Sequence, residues 1–165
     1  MSPSQRIKNA SISLLRKFSV GGVIIGMLWF LQGCASRPPA QEMSDARQAL
    51  QAAVAAGAEE YVAADIGRAR GFLKGAERAM ALRHFDQARS GAVAAKRAAL
   101  WARKVAASID DAEQALRQAR AAGRDVTTAE AELSRAKRAA LQGQTSVAIE
   151  RAESSRKLSE TVLGS

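Results

Sequence analysis

Few side chains in this 165-residue sequence are suited to covalent or metal chemistry. It contains one cysteine, Cys34, and one histidine, His84. A zinc site normally needs several Cys or His ligands. A Ser-His-Asp arrangement would have to be built around His84, which lies in a predicted turn beside Asp86. We therefore predict no enzymatic activity, no metal site and no cofactor.

The segment before Cys34 points to a covalent role for its thiol. Four basic residues, Arg6, Lys8, Arg16 and Lys17, precede an uncharged apolar run of 14 residues at 18–31. This order is typical of a secretory signal. Leu31, Gln32 and Gly33 then lead into Cys34 and resemble the lipobox of bacterial lipoproteins, although a small residue is commoner at the position of Gln32. The resemblance implies that residues 1–33 are a signal peptide and that Cys34 carries the lipid.

A transmembrane anchor and a buried core helix are the main alternatives for this segment. A membrane-spanning helix usually needs about 20 apolar residues, more than the run provides. A core helix would leave the basic flank and the abrupt change at Arg37-Pro38-Pro39 without a role. Lipid attachment therefore remains the favoured interpretation, and an unmodified thiol the least favoured.

The residues after the lipobox favour the periplasmic face of the outer membrane. Ala35 and Ser36 follow the cysteine, and no aspartate stands next to it. By analogy with known sorting signals, this predicts the outer membrane, with an inner-membrane lipid anchor as the alternative. Several acyl chains on one cysteine make such anchoring stable. Residues 34–42 are predicted to be a short tether, stiffened by the two prolines.

The composition after residue 33 predicts an all-α fold. Of these 132 residues, 36 are alanine, the best helix former, and no proline follows Pro39. With few bulky side chains, closely packed helices are the natural core. We predict an elongated bundle of antiparallel helical hairpins over residues 43–165, with coiled-coil-like seams.

Five alanine-rich helices follow from the spacing of apolar residues. The predicted caps are Ser44, Asp86 and Thr127 or Thr128, the last helped by Glu130 in a capping box. The longest helix is predicted over 86–122, unless Asp110-Asp111 breaks it. Its apolar seam keeps a heptad pattern to Ile109 and then shifts by three residues. The predicted ranges are about 44–56, 60–82, 86–122, 127–141 and 145–162.

The chain also contains a partial internal repeat. Residues 45–57 match residues 111–123 at nine of 13 positions, and both segments begin with Asp and end with Gly. General similarity among alanine-rich helices is the simpler explanation. The shared ends favour duplication, with repeat units at about 45–107 and 111–163.

Residues 61–76, the turn at Phe85-Asp86 and the following Ala88, Ala92 and Ala95 resemble a known envelope lipoprotein module, domain of unknown function 4398. The resemblance covers about residues 40–107. It implies a helical hairpin in a bacterial envelope lipoprotein, and it transfers no catalytic residue.

Three glycines, Gly67, Gly71 and Gly75, recur every four residues along one predicted helix. Such a small-residue stripe lets another helix approach closely, at a cost in helix stability of up to about 1 kcal/mol per glycine. The stripe predicts either a docking groove for a partner helix or packing against the third helix of this chain.

Two basic pairs, Lys96-Arg97 and Arg103-Lys104, are seven residues apart and so share a helix face. The whole chain has a net charge of +9. Without the four basic residues of the signal, 21 Lys and Arg remain against 16 Asp and Glu, a net charge of +5. The basic face is either a solvated surface or a site for anionic lipid or polymer. Export makes nucleic acid an improbable partner.

These observations predict a lipid-anchored periplasmic protein of the bacterial cell envelope with a structural or adaptor role. It would act through helix–helix contacts with another envelope protein or with a second copy of itself. The alternative is a binding module that holds an anionic envelope lipid or polymer on its basic helix face.

Overall fold

The computed structural model describes residues 37–164, which fold into five helices and contain no strand. This confirms the predicted all-α fold. None of the helices within residues 37–164 contains an apolar stretch that could span a bilayer. Cys34 and the lipobox residues Leu31, Gln32 and Gly33 lie outside the described residues. The helices are α1 Ala40–Ala55, α2 Ala58–Ala81, α3 Phe85–Ala121, α4 Thr127–Leu141 and α5 Thr145–Gly164.

The long helix α3 is the scaffold on which the other four helices pack. Its 37 residues span about 55 Å, and it continues unbroken through Asp110 and Asp111, so the predicted alternative of a break there is wrong. Helix α1 runs parallel to the start of α3. Helix α2 runs antiparallel to α3. Helix α4 runs antiparallel to the second part of α3. The ion pairs show this direction, since Glu130 pairs with Arg120 and the later Lys137 pairs with the earlier Glu113.

Alanine forms most of the core of this bundle. The heptad seam of α3 and its continuation after the three-residue shift are buried as predicted. Small seam residues let neighbouring helices pack closely. Ile66, Val105 and Ile109 are the largest fully buried side chains among the described residues. Near the end of α2 Ala79 is buried and Met80 is half-buried. The buried α3 residues of the seam are Ala88, Ala92, Ala95, Ala99, Ala102, Ala106, Ile109, Ala112, Leu116 and Ala119.

Two of the predicted helix starts are wrong. Helix α1 begins at Ala40, directly after the buried Pro39, and Ser44 lies inside it. Residues 40–42 are therefore helical rather than tether, because good helix formers extend the helix back to a proline that cannot continue it. Helix α3 begins at Phe85, and Asp86 makes no cap hydrogen bond but pairs with Arg89 in the first turn.

The start of α4 is fixed by Asp125 instead of the predicted threonine cap. The Asp125 carboxylate accepts hydrogen bonds from the backbone N–H of Thr127 at 3.0 Å and from its hydroxyl at 2.7 Å. These bonds lower the pKa of Asp125. Glu130 closes no capping box, because its carboxylate is held by Arg120 of α3. A short Asp side chain two residues upstream competes well for exposed N–H groups.

The connections after α2, α3 and α4 are alike. Each uses a residue with positive φ, namely Arg83 (59°), Gly123 (71°) and Gly143 (73°). Each is followed by a backbone N–H that returns to the carbonyl five residues earlier, as in a Schellman motif. Gly57 and Gly123, the matching ends of the sequence repeat, share this left-handed conformation. The turns are thus consistent with duplication, which stays a prediction.

Candidate functional site

Apolar and basic side chains lie together on the solvent side of α3, a surface that we call the α3 outer face. Val93, Leu100 and Trp101 are 51%, 45% and 48% exposed, because they lie outside the buried alanine seam of α3. They line one hollow together with Lys96, Arg97 and Lys104, and Arg103 follows Leu100 by three residues along the same helix. The α3 outer face consists of Val93, Lys96, Arg97, Leu100, Trp101, Arg103 and Lys104.

The four predicted cations of this face differ in their partners. The Lys96 ammonium donates to the Asp45 carboxylate of α1 at 2.8 Å. Hydrogen bonds from Lys96 and then Gln41 lower the pKa of Asp45. Lys96 therefore joins α1 to α3. The other three, Arg97, Arg103 and Lys104, take part in none of the ion pairs found within residues 37–164.

The apolar members of the face line an open hollow of about 330 Å³. Lys104 extends over its edge, with Nζ 5.6 Å from the centre of the Trp101 ring, a cation–π distance. The cations were predicted from the sequence, whereas their neighbours Val93, Leu100 and Trp101 were not. The signal was present, because these residues fall outside the alanine seam of the same helix and so cannot share its buried side.

A second, more polar cavity of about 380 Å³ adjoins the α3 outer face, because Arg97 and Trp101 line both. We call it the Asp65 cavity. It lies between α2, α3 and the first turn of α5, which contributes Thr145 and Ser146. Asp65 itself is only 7% exposed. Nothing in the residue pattern distinguishes Asp65 from the other charged residues of this alanine-rich helix.

The predicted glycine stripe of α2 faces solvent. A Cβ placed on Gly67, Gly71 or Gly75 would meet nothing within 4 Å. The prediction that these glycines pack against α3 is therefore wrong. The glycine that does so is Gly91 of α3, where an added Cβ would lie 3.1 Å from the Cβ of Ala76. Docking of a partner helix on the stripe stays a prediction.

Ion pairs place the start of α1 beside the α3 outer face. The Glu42 carboxylate accepts from Arg89 Nε at 2.9 Å, one turn before the Asp45–Lys96 contact. A hydrogen bond from its own backbone and then the one from Arg89 lower the pKa of Glu42. The first two turns of α1 thus lie level with residues 89–96 of α3.

His84 is an exposed residue at the start of α3. Within residues 37–164, no group of three or more His, Cys, Asp or Glu side chains is placed to hold a metal ion. Comparison with protein-family models, with curated proteins and with solved structures finds no match. The resemblance to domain of unknown function 4398 therefore rests on the quoted residues alone.

Proposed function

We propose that this protein is a lipid-anchored adaptor of the bacterial cell envelope that contacts an anionic membrane surface through its α3 outer face. The observation that carries the proposal is the coincidence of three exposed apolar side chains with three cations that have no carboxylate partner among the described residues. A solvated basic face would not need the apolar residues.

The chemistry of this face matches the boundary between lipid headgroups and acyl chains. Trp101 offers an apolar ring with a polar N–H, and such residues favour membrane interfaces. The apolar stems of Lys104 and Arg97 can lie along the surface while their charged ends reach phosphate groups. Each basic residue near an anionic membrane contributes about 1 kcal/mol of attraction. Val93 and Leu100 add apolar area that can leave water on contact.

The proposed lipid on Cys34 would keep this face near a membrane. Five peptide steps separate Cys34 from Pro39, and an extended chain of that length spans at most about 18 Å. Helix α1 starts at Ala40 beside the α3 outer face, as the Glu42–Arg89 and Asp45–Lys96 contacts require. A lipid-anchored chain would therefore present the cations to the surface that holds the lipid. We assign this surface to the outer membrane, on its periplasmic side.

A second candidate function is contact with a partner helix, from another envelope protein or a second copy of this chain. The open space above Gly67, Gly71 and Gly75 favours it, because no part of the described chain fills that groove. A helix could approach the backbone of α2 closely there. This role is compatible with membrane contact, since the glycines and the α3 outer face belong to different helices.

Acyl labelling in cells tests the anchor. Radiolabelled palmitate should be incorporated into the wild-type chain and not into Cys34→Ser. Equal labelling of both chains, or of neither, would contradict lipid attachment at Cys34.

Charge reversal tests the membrane contact. The full chain with Trp29→Phe, held in neutral-detergent micelles, has Trp101 as its sole tryptophan. Adding phosphatidylglycerol to the micelles should shift Trp101 emission to the blue in a salt-sensitive way. Arg97→Glu, Arg103→Glu and Lys104→Glu together should abolish the shift. The matched control reverses three exposed cations elsewhere, Lys74, Arg78 and Lys157, and should retain it. Equal responses from the two triple variants would refute contact through the α3 outer face.

A further inference from the structure

One carboxylate oxygen next to the α3 outer face lacks a hydrogen-bond partner. Asp65 Oδ1 pairs with Arg68 at 3.1 Å, whereas Oδ2 is buried and accepts no hydrogen bond within the described residues. Leaving a charged acceptor buried and unpaired is costly, so such groups are rare and call for an explanation. Asp65 lines the cavity named after it, and the broad χ2 torsion of Asp lets either oxygen turn towards that space.

Glu132 provides an internal comparison, because Ala131-Glu132-Leu133 matches Ala64-Asp65-Ile66 when the sequence repeat is continued past its glycine with one residue inserted. It is also buried, at 8% exposed, but both of its oxygens are bound. Arg135 holds Oε1, and Arg151 of α5 holds Oε2 at 3.2 Å. Desolvation opposes ionisation there, and hydrogen bonds from Arg151 and Arg135 nevertheless lower the pKa of Glu132. Asp65 has the equivalent of Arg135 in Arg68, but no second donor reaches it.

The other polar groups of the Asp65 cavity suit an anion. Arg97 lines it, and no carboxylate within residues 37–164 pairs with that guanidinium. The cavity also meets the start of α5 at Thr145 and Ser146. The first N–H groups of a helix have no partner in the helix, and they attract negative charge. An acceptor for a cationic donor and a place for an anion therefore share one cavity.

We propose that the Asp65 cavity binds the headgroup of a phospholipid that carries both a phosphate and a primary ammonium, that is, a phosphoethanolamine headgroup. The phosphate lies at Arg97 and the start of α5, and the ammonium donates to Asp65. The ring of Trp101 offers the ammonium an additional cation–π contact. The acyl chains leave along Val93 and Leu100, because the cavity and the apolar hollow share Arg97 and Trp101. This inference rests on the proposed membrane contact.

Trp101 emission of the same full chain with Trp29→Phe measures binding of soluble headgroups. O-phosphoethanolamine should bind about tenfold or more tightly than O-phosphocholine, because a trimethylated ammonium cannot donate a hydrogen bond to Asp65. Asp65→Asn, which has the same shape, should remove this preference. Glu132→Gln is the matched control and should keep it. Equal binding of the two headgroups by the wild-type chain, or a preference that survives in Asp65→Asn, would overturn the assignment.

A further measurement distinguishes binding of the whole lipid from binding of its free headgroup. Phosphatidylethanolamine in the micelles should bind more tightly than soluble O-phosphoethanolamine, because its acyl chains add contacts at Val93 and Leu100. If the lipid binds no more tightly, the assignment to a lipid is wrong.

The phosphatidylglycerol response should be unchanged in Asp65→Asn. If that response is present while phosphoethanolamine selectivity is absent, this inference fails and the membrane contact stands. If the wild-type chain gives no phosphatidylglycerol response, the proposed function fails.

Discussion

Gly91 of α3 lies against Ala76 of α2 so closely that an added Cβ at residue 91 would stand 3.1 Å from the Cβ of Ala76. The Cα and N of Ala76 would each be 3.4 Å away. The neighbouring atoms thus include backbone of a packed helix, which cannot move aside as a flexible side chain would. This contact sets how closely the two longest helices approach each other near their connecting turn.

Alanine scanning of the glycines should separate this contact from the exposed stripe. Gly67→Ala, Gly71→Ala and Gly75→Ala should each raise the free energy of unfolding by about 0.5–1 kcal/mol, because alanine favours the helix and the added Cβ meets nothing. Gly91→Ala should lose that gain to crowding against Ala76, and Gly91→Val should cost about 1–3 kcal/mol. Urea denaturation measures all five. A gain for Gly91→Ala equal to that of the other three would contradict the close contact.

The turn between α2 and α3 places Arg83 at φ 59°, where the turn between α4 and α5 has Gly143 at φ 73°. Left-handed backbone costs an ordinary residue roughly 1 kcal/mol and costs glycine very little. Arg83→Gly should therefore raise the thermal midpoint, and Gly143→Ala should lower it. A lower midpoint for Arg83→Gly would show that the Arg83 side chain contributes more stability than its backbone strain removes.

The Glu113–Lys137 pair predicts a pH-dependent contact between α3 and α4, with the two charged atoms 2.6 Å apart. The hydrogen bond from Lys137 lowers the pKa of Glu113, and the same bond raises the pKa of Lys137. The contribution of Glu113 is complete above its ordinary pKa of about 4.3 and disappears as the pH falls through its lower folded pKa. That of Lys137 is complete below about 10.4 and disappears as the pH rises through its raised folded pKa.

Glu113→Gln should therefore lower the free energy of unfolding at neutral pH by up to about 1 kcal/mol, since the partly exposed pair is screened by solvent. As the pH falls below about 4 and through the lowered pKa of Glu113, the difference between variant and wild type should shrink. Urea denaturation at neutral and at acidic pH measures it. An equal difference at both would assign the effect to packing rather than to charge.

Lys96 and Lys104 should give opposite results, although the sequence groups them together. Lys96→Ala removes the contact with Asp45 and should reduce stability by up to about 1 kcal/mol. It should change the response to phosphatidylglycerol little. Lys104→Ala should weaken that response while leaving stability within about 0.5 kcal/mol of wild type. Denaturation and Trp101 emission, measured on both variants, test this assignment. A stability loss for Lys104→Ala with an unchanged lipid response would contradict it.

The sequence predicted the helices well because alanine at steps of three and four defines both the helix and its buried side. The seam from Ala88 to Ala119 illustrates this, and α4 was predicted at its observed bounds. The caps were less predictable, because more than one residue could start each helix. Helix α1 starts after Pro39 rather than at Ser44, and the start of α4 is held by Asp125 rather than by Thr127. Which glycine packs against the neighbouring helix could not be known either, since Gly75 and Gly91 differ only in what the turn brings opposite them.

Only part of the candidate site could be predicted from the sequence. Basic pairs seven residues apart located the α3 outer face, but only the fold shows that Asp45 takes Lys96 and leaves Lys104 beside Trp101. The Asp65 cavity depends on the approach of α5 to α2 and α3, a long-range arrangement that helical periodicity does not encode.

The depth of Trp101 relative to a membrane tests the account most directly. The full chain with Trp29→Phe is reconstituted through its own N-terminus into vesicles of phosphatidylglycerol that carry brominated acyl chains. We predict that the bromines quench Trp101 and that iodide in the buffer does not. The triple variant Arg97→Glu, Arg103→Glu and Lys104→Glu should show the reverse. The opposite result for the wild-type chain, quenching of Trp101 by iodide and none by the brominated lipid, would contradict membrane contact through the α3 outer face.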